Sequence, residues 1–191
     1  STLSCPAYYL NNTPLKNVTS YRFSGVNICD NLTWSLHIEN LFNSANRMLG
    51  YLRCKFRFAP ISLKTLLYKT LVRSKLEYPA SIWDPSSETL IKSLELVQNN
   101  AAHFILHNYS RTNDVASMKN SLQLPHLATC RKHSKLSSFH KIYYHNSILR
   151  TALISPPSYV SSCTDHPHKV GIMTCLNNTC FQSFIPHTSN Q

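Results

Sequence analysis

Eight basic residues follow one another in the first half of this chain without an acidic residue among them. The stretch lies between Glu39 and Glu77, and its cations are Arg47, Arg53, Lys55, Arg57, Lys64, Lys69, Arg73 and Lys75. Solvated helix faces usually mix both signs of charge. A run of one sign attracts phosphate groups and releases their counterions. The stretch therefore predicts contacts to the backbone of a nucleic acid.

Aromatic residues are interleaved with these cations, and a second basic cluster occurs further along the chain. The aromatics could stack on bases or sugars, but we prefer burial in the core for them; they are Tyr51, Phe56, Phe58 and Tyr68. The second cluster comprises Arg131, Lys132, His133, Lys135, His140 and Lys141. Its histidines are mostly neutral at pH 7, so solubility alone could explain it.

Catalytic chemistry is not indicated by the acidic residues. Polymerases need clustered carboxylates to hold two divalent metal ions. The aspartates here are isolated from one another along the chain: Asp30, Asp84, Asp114 and Asp165. With three glycines in the chain, there is also no glycine-rich phosphate loop. We therefore predict no catalytic residue, no cofactor and no enzyme activity for this chain on its own.

Cysteines and histidines near the C-terminus have the composition of a zinc site without its spacing. The group contains Cys163, His166, His168, Cys175 and Cys180. Zinc needs four ligands that converge tetrahedrally, and these intervals do not fit a common two-by-two knuckle. We therefore predict no metal site. The seven cysteines are odd in number and scattered, which is typical of reduced thiols.

Length, charge and hydropathy predict the compartment and the class of partner. A chain of 191 residues with 42% apolar residues can form one core, and a formal charge of +11 favours nucleic acid as partner. No run approaches the roughly 18 consecutive apolar residues of a membrane span. We expect an intracellular protein, in the nucleus or cytoplasm, with no membrane partner. Because the first methionine is Met48, within a predicted helix, we expect the chain to be a fragment.

The hydrophobic periodicity predicts a mainly α fold with a small β element at the N-terminus. Residues 1–32 should form that element, as a small hairpin that turns at 11–14 followed by a strand over 21–28. Residues 33–150 should form a helical domain. Residues 151–191 should form a linker and an irregular, poorly ordered tail, because prolines and polar residues interrupt any helix there.

Two helices should carry most of the basic residues. The first begins at Thr33, a possible N-cap, and its inward stripe is Trp34, Ile38, Leu41, Phe42, Ala45, Leu49 and Leu52. The second opens at Pro60. Its predicted inward residues are Leu63, Leu66, Leu67, Thr70 and Leu71, and its predicted solvent-exposed residues are Lys64, Lys69, Arg73 and Lys75.

Three further helices follow. One should run from about Ser86 to about His107 with an inward stripe of Leu90, Leu94, Val97, Ala101, Phe104 and Ile105. Asn113 and Asp114 should cap a short helix that ends at Ser121. The last should have Pro125 in its first turn and reach about Tyr144.

Four segments in a fixed order resemble a known protein family. They are YRFSGVNICDNLTW from Tyr21, HIENLFNSANRMLGYLR from His37, LVRSKLEYPASIWDP from Leu71 and LIKSLELVQNNAAHFI from Leu90. Together they are similar to the region C-terminal to the polymerase palm in reverse transcriptases of non-LTR (LINE-type) retrotransposons. The similarity is firmest from Tyr21 to about His107.

The resemblance implies a role in holding nucleic acid. The run from Tyr21 would be a remnant of the palm and primer grip, and the following helices would form a thumb that holds the RNA or DNA primer–template duplex. The implied nucleic-acid-binding residues, which would contact the backbone without reading sequence, are Arg22, Arg47, Arg53, Lys55, Arg57, Lys64, Lys69, Arg73 and Lys75. The catalytic aspartates, the divalent metal and the palm and fingers would belong to the rest of the polymerase.

Two other functions remain open at this stage. The chain could be a host-adopted basic module that binds RNA or DNA, or a helical protein-interaction domain whose charge only confers solubility. Departures from the family pattern, such as Cys130 and His103 where the family commonly has arginine, suggest a decaying copy with weakened duplex binding.

Overall fold

The computed structural model describes residues 8–83, 85, 87–110, 114–157, 159–161, 166, 169–171, 175 and 185–186. Within these residues the chain forms two β-hairpins followed by seven α-helices. The strands are β1 Tyr9–Leu10, β2 Thr13–Pro14, β3 Ser20–Phe23 and β4 Val26–Cys29. The helices are α1 Ser35–Lys55, α2 Ile61–Leu67, α3 Ser74–Glu77, α4 Glu88–Leu106, α5 Val115–Ser121, α6 Leu127–His145 and α7 Ser147–Leu153, with a π-helical segment, Tyr68–Arg73, between α2 and α3.

Both hairpins turn through two residues with positive φ. Asn11 and Asn12 have φ of 47° and 61°, and Ser24 and Gly25 have φ of 46° and 84°. Two-residue hairpin turns favour this conformation because its twist matches that of the flanking strands. The predicted first hairpin is present, but its turn is shorter than the predicted 11–14, because Thr13–Pro14 form strand β2 and only Asn11 and Asn12 turn the chain. The predicted single strand over 21–28 is wrong, because Ser24 and Gly25 divide it into antiparallel β3 and β4.

Helix α1 buries the stripe that its sequence predicts. Ile38, Ala45, Leu49 and Leu52 are each at most 1% exposed, and the remaining members of the stripe are partly buried. The predicted N-cap is wrong: the Thr33 hydroxyl donates to the Asn31 side chain at 2.8 Å instead of capping the helix.

The second predicted helix exists, but its predicted faces are wrong. Helix α2, the π-helical segment and α3 follow one another without a break from residue 61 to residue 77. They bury every fourth residue, Lys64, Tyr68, Val72 and Leu76, while Leu63, Leu66 and Leu71 are exposed. The i→i+5 bonds of the π-helical segment widen the helix over Tyr68–Arg73, so in that part the buried face follows a longer period than an α-helical pattern assumes.

Helix α4 lies at the centre of the core. It packs against α1, α2, α5 and α6. Its predicted stripe is confirmed, since Leu94, Val97, Ala101, Phe104 and Ile105 are at most 2% exposed. It ends at Leu106, close to the predicted end, and the C-cap His107 has a φ of 51°, the left-handed conformation typical of helix termini.

Two polar side chains of α4 connect it to the surrounding elements. Gln98 is fully buried; its Oε1 accepts from the Tyr68 hydroxyl at 3.1 Å, and its Nε2 donates to the Pro125 carbonyl at 3.0 Å. Glu95 accepts from the Leu127 backbone N–H at 2.6 Å, at the start of α6. Burial raises the pKa of Tyr68, so the hydroxyl stays protonated and can donate.

The predicted starts of the last two helices fare differently. The Asp114 side chain accepts from the backbone N–H groups of Ala116 and Ser117, which confirms Asp114 as a cap of α5, while Asn113 lies outside the described residues. The predicted place of Pro125 in the first turn of the last helix is wrong, because α6 begins at Leu127, after the N-cap His126, and ends at His145. Helix α7 crosses the predicted domain limit at residue 150. The predicted tail lies largely outside the described residues; residues 154–157 and 159–161 have no regular secondary structure.

The mainly α fold with a small N-terminal β element is confirmed. The limits of the predicted domains, 1–32, 33–150 and 151–191, stay predictions. Among the residues that the structure describes, no helix combines the length and apolar character needed to cross a membrane.

The hydrogen bond between Tyr68 and Gln98 should contribute measurably to folding. Tyr68→Phe and Gln98→Leu should each lower the free energy of unfolding by about 1–3 kcal/mol, because each leaves a buried partner unsatisfied. The double variant should lose less than the sum, by about 1 kcal/mol, in a double-mutant cycle measured by urea denaturation.

The control for this cycle is Lys92→Ala. Lys92 pairs with Glu88, and both side chains are more than 70% exposed, so this change should cost less than about 0.5 kcal/mol. Strictly additive costs for Tyr68→Phe and Gln98→Leu would show that their hydrogen bond does not stabilise the fold.

Candidate nucleic-acid interface

Three of the predicted binding residues meet in one groove. Arg22 comes from β3, Arg47 from α1 and Lys75 from α3. The groove encloses about 860 Å³, and Arg22 and Arg47 are exposed to solvent. Arg22 and Lys75, which are 53 positions apart in the sequence, thus line the same groove. We call it the basic groove.

Strand pairing, helix periodicity and a contact with the hairpin turn position the side chains of the basic groove. Within the hairpin, Arg22 pairs with Asn27. On α1, Asn40, Ser44 and Arg47 are spaced by four and three residues, so they follow one helix face. At the end of α3, the Tyr78 hydroxyl lies 3.4 Å from the Ser24 carbonyl oxygen, which brings that end against the hairpin turn.

The basic groove is suited to phosphate groups. Its lining carries three cations and, among the described residues, no carboxylate. Carboxamides and hydroxyls supply further hydrogen-bond donors: Asn27, Asn40, Asn43, Ser44, Ser74 and Tyr78. Phosphate oxygens accept hydrogen bonds, and hydrogen bonds between ionised partners are the strong ones. The groove can therefore hold an anionic backbone.

His37 joins the hairpin to α1 at the base of the groove. It is 4% exposed, its Nδ1 accepts from the Asn27 backbone N–H at 3.3 Å, and its ring lies edge-on to Trp83 at 5.2 Å between centroids. Its Nε2 has no hydrogen-bond partner within the described part of the chain. Burial, and secondarily the nearby Arg22, lower the pKa of His37.

Two predicted contact residues are not available to solvent. Lys64 is 4% exposed, and its Nζ lies 5.3 Å from the centre of the Phe104 ring. The Arg73 side chain is 12% exposed and forms an ion pair with Glu77 at 2.7 Å. The predicted exposure of both is therefore wrong, because α2 packs Lys64 against α4 and because Arg73 pairs with Glu77 along its own helix. Neither residue lines the basic groove.

Four other predicted residues lie outside the lining of the basic groove. Arg53 donates from Nη2 to the Asn100 carbonyl at 2.9 Å, which ties α1 to α4. Arg57 lies over the ring of Phe58, 5.6 Å from its centre. Lys55 and Lys69 are exposed. A role of these four in binding stays a prediction.

The aromatic residues divide between core and surface. Tyr68 is fully buried, as predicted, and Phe56 is partly buried. The predicted burial of Tyr51 and Phe58 is wrong, since they are 55% and 93% exposed.

The sequence did not predict which uncharged residues line the basic groove. The spacing of Asn40, Asn43 and Arg47 on α1 was a usable signal for a polar face. His37 and Tyr78 had no such signal, because their roles depend on neighbours from other elements.

Metal ligands do not cluster in the residues that the structure describes, where no group of three His, Cys, Asp or Glu could hold an ion. Of the C-terminal cysteines and histidines, His166 and Cys175 belong to those residues, while Cys163, His168 and Cys180 lie outside them.

The lowered pKa of His37 predicts a loss of stability in mild acid. The unfolded chain binds a proton below a pKa of about 6.5, whereas the folded chain does so at a lower pH. The stabilisation should be complete above that value and lost as pH falls toward the folded-state pKa. Urea denaturation at several pH values should show a weaker decline for His37→Gln than for the wild type.

The control for this comparison is Asn43→Ala. Asn43 lines the same groove without a titratable group, so this variant should keep the wild-type decline. Equal declines for His37→Gln and the wild type would contradict a role of His37 in the pH dependence.

Comparison with known proteins gives one curated relative and no family. The chain is 41% identical over 66 residues to an uncharacterized protein of Caenorhabditis elegans. The match covers 34% of this chain and 33% of the relative, so this similarity spans about a third of that protein. No protein-family description matches the chain, and no solved structure matches it.

Proposed function

We propose that this chain is the C-terminal part of a LINE-type RNA-directed DNA polymerase and that its basic groove holds primer–template nucleic acid. One observation carries the binding role: Arg22, Arg47 and Lys75 converge from three elements on a groove whose described lining has no carboxylate. Such a groove binds phosphates whatever the base sequence.

The resemblance in sequence supports the proposal because its segments build this groove. The run from Tyr21 forms the hairpin that carries Arg22. The run from His37 forms most of α1, and the run from Leu71 forms α3 and the loop that ends at the buried Trp83. The segments that carry the resemblance therefore also carry the three cations.

Catalysis lies outside this proposal for the chain on its own. Two-metal phosphoryl transfer needs converging carboxylates. In the proposed polymerase, the palm supplies those aspartates and the divalent metal, and this part contributes grip on the duplex.

Exposed leucines favour one alternative function. Leu63, Leu66 and Leu71 of the second helix are 37–57% exposed, and Phe58 just before it is 93% exposed. Apolar surface of this kind often marks a protein contact. A helical protein-interaction domain is therefore the second candidate.

Binding through the basic groove should depend on its three cations more than on total charge. The variant Arg22→Gln/Arg47→Gln/Lys75→Gln should bind a labelled DNA duplex of about 20 base pairs at least about tenfold more weakly. The slope of log affinity against log salt concentration should be smaller in magnitude by about 2–3, because each lost phosphate contact reduces that slope by about 0.9. Fluorescence anisotropy between about 50 and 200 mM salt measures both quantities.

The matched control is Lys16→Gln/Lys92→Gln/Lys132→Gln. These three lysines are exposed and lie outside the groove, and their loss lowers the net charge by the same amount. Equal losses in both variants would show that only total charge matters. Wild-type protein without salt-dependent binding would exclude the nucleic-acid function and favour the protein-interaction domain.

The proposed polymerase can be tested at the gene. The frame upstream of Ser1 should stay open and encode a Tyr-x-Asp-Asp or Phe-x-Asp-Asp pair, because the palm of the same polymerase must precede this part. Sequencing the locus checks this. A start codon directly upstream in a frame without that pair would favour the host-adopted binding module instead.

A further inference from the structure

A small pocket lies between the C-terminal ends of α1 and α4. Its lining consists of Arg53, Arg57, Phe104, His107 and Tyr109. It encloses about 200 Å³, less than the roughly 300–1,000 Å³ of pockets that hold drug-sized ligands. The pocket therefore suits a single ring system or a small anion rather than a large cofactor. We call it the aromatic pocket.

The turn after α4 holds the ring of Tyr109 at the aromatic pocket. The chain reverses at His107, and the Asn108 backbone N–H donates to the His103 carbonyl at 3.1 Å. The His103 ring donates from Nδ1 to the Asn108 carbonyl at 2.6 Å and lies nearly parallel to the Tyr109 ring, with 6.1 Å between centroids. The His107 ring lies edge-on to Tyr109 at 5.9 Å. Tyr109 is nevertheless 57% exposed, so part of its ring remains open to a ligand.

Two guanidinium groups of the lining have no carboxylate partner among the described residues. Arg53 donates from Nη2 to the Asn100 carbonyl at 2.9 Å, which fixes it beside α4, while its buried Nε has no hydrogen-bond partner in the described part of the chain. Arg57 is exposed to solvent at the pocket. The planar fork of a guanidinium matches the oxygens of a phosphate, so this pair can hold one phosphate group.

The buried part of the lining brings a third cation close. Phe104 is 2% exposed, and the Lys64 Nζ lies 5.3 Å from the centre of its ring. Lys64 is itself 4% exposed and forms no ion pair with a carboxylate of the described residues. Because charges act more strongly where water is excluded, Lys64 adds to the attraction of the pocket for an anion.

We propose that the aromatic pocket binds one unpaired nucleotide, with its base stacked on Tyr109 and its phosphate held by Arg53 and Arg57. Every base has a flat face, so stacking of this kind tolerates any sequence. Bases inside a duplex are stacked on one another and cannot enter a pocket. The nucleotide belongs to a single strand or is free in solution, since both carry a base beside a phosphate. This site goes beyond the proposed function, which assigns a duplex to the basic groove and uses none of these residues.

The test removes the stacking ring and one guanidinium separately. Tyr109→Leu removes the ring, Tyr109→Phe keeps it, and Arg57→Gln removes one charge. The matched controls are Tyr51→Leu, whose ring is 55% exposed outside the pocket, and Lys55→Gln, an exposed cation two residues from Arg57 and also outside the lining. Circular dichroism and urea denaturation confirm that each variant is folded.

Three probes report on the pocket. The first is a DNA strand of about eight nucleotides in which thymidine alternates with 2-aminopurine, a base whose fluorescence falls when it stacks on an aromatic ring. The second is the free 2-aminopurine nucleotide. The third is a labelled blunt duplex of about 20 base pairs.

Wild-type protein should quench 2-aminopurine. Tyr109→Leu should lose that quenching and bind the strand about fivefold more weakly or worse, as expected for one lost stacked base, while Tyr109→Phe should stay within about twofold of wild type. For Arg57→Gln, the slope of log affinity for the strand against log salt concentration should be smaller in magnitude by about 0.7. Both controls on every probe, and every variant on the blunt duplex, should change by less than about twofold.

The outcomes separate this site from the proposed function. Quenching that depends on Tyr109 supports the site: similar affinity for both quenched probes assigns it to free nucleotides, and tighter binding of the strand assigns it to single-stranded nucleic acid. Quenching that is absent, or equal in Tyr109→Leu and wild type, would overturn the site and leave duplex binding in the basic groove standing. Loss of salt-dependent duplex binding with retained quenching would remove the proposed function and keep this site.

Discussion

The buried carboxamide of Gln98 is the interaction on which the arrangement of the helices depends. A fully buried amide is costly unless both its donor and its acceptor are satisfied. Gln98 satisfies them with Tyr68 from the π-helical segment and with the Pro125 carbonyl just before α6. Because the partners come from two different elements, the hydrogen bonds tie both the helix ending in α3 and the segment before α6 to α4. Glu95, three residues earlier, fixes the start of α6 through the Leu127 N–H.

Two openings beside α3 follow from that arrangement. The cleft between α3 and α6 exists because α6 packs against α3, and the basic groove exists because α1 and the hairpin also lie beside α3. His37 helps to hold the hairpin in place, since its Nδ1 accepts from the Asn27 backbone N–H while its ring packs on Trp83. Three cations around one groove repel one another, so the contacts of the uncharged neighbours must offset that cost when no anion is bound.

Local sequence signals predicted an element correctly where a single feature of its own segment, such as helical periodicity or a capping side chain, determined it. The stripes of α1 and α4 follow the α-helical period, and Asp114 caps α5 by a bond within its own turn. Prediction failed where packing against another element, or a turn inside a strand-like run, also determined the structure. In the second helix, the packing of α2 against α4 brings Lys64 into the core beside Phe104 while Leu63 remains exposed. In the N-terminal element, a turn at Ser24 and Gly25 divides an otherwise strand-like run.

The sequence by itself determined the mainly helical fold, the positions of most helices and the excess of basic residues between Glu39 and Glu77. Those properties depend on residue type and on spacing within one segment. Only the tertiary structure decided which cations act together: Arg22, Arg47 and Lys75 share a groove, whereas Lys64 is buried and Arg73 is paired with Glu77. The physical reason is that the surroundings of a charge are set by whichever elements pack beside it, and those elements lie far apart in the chain.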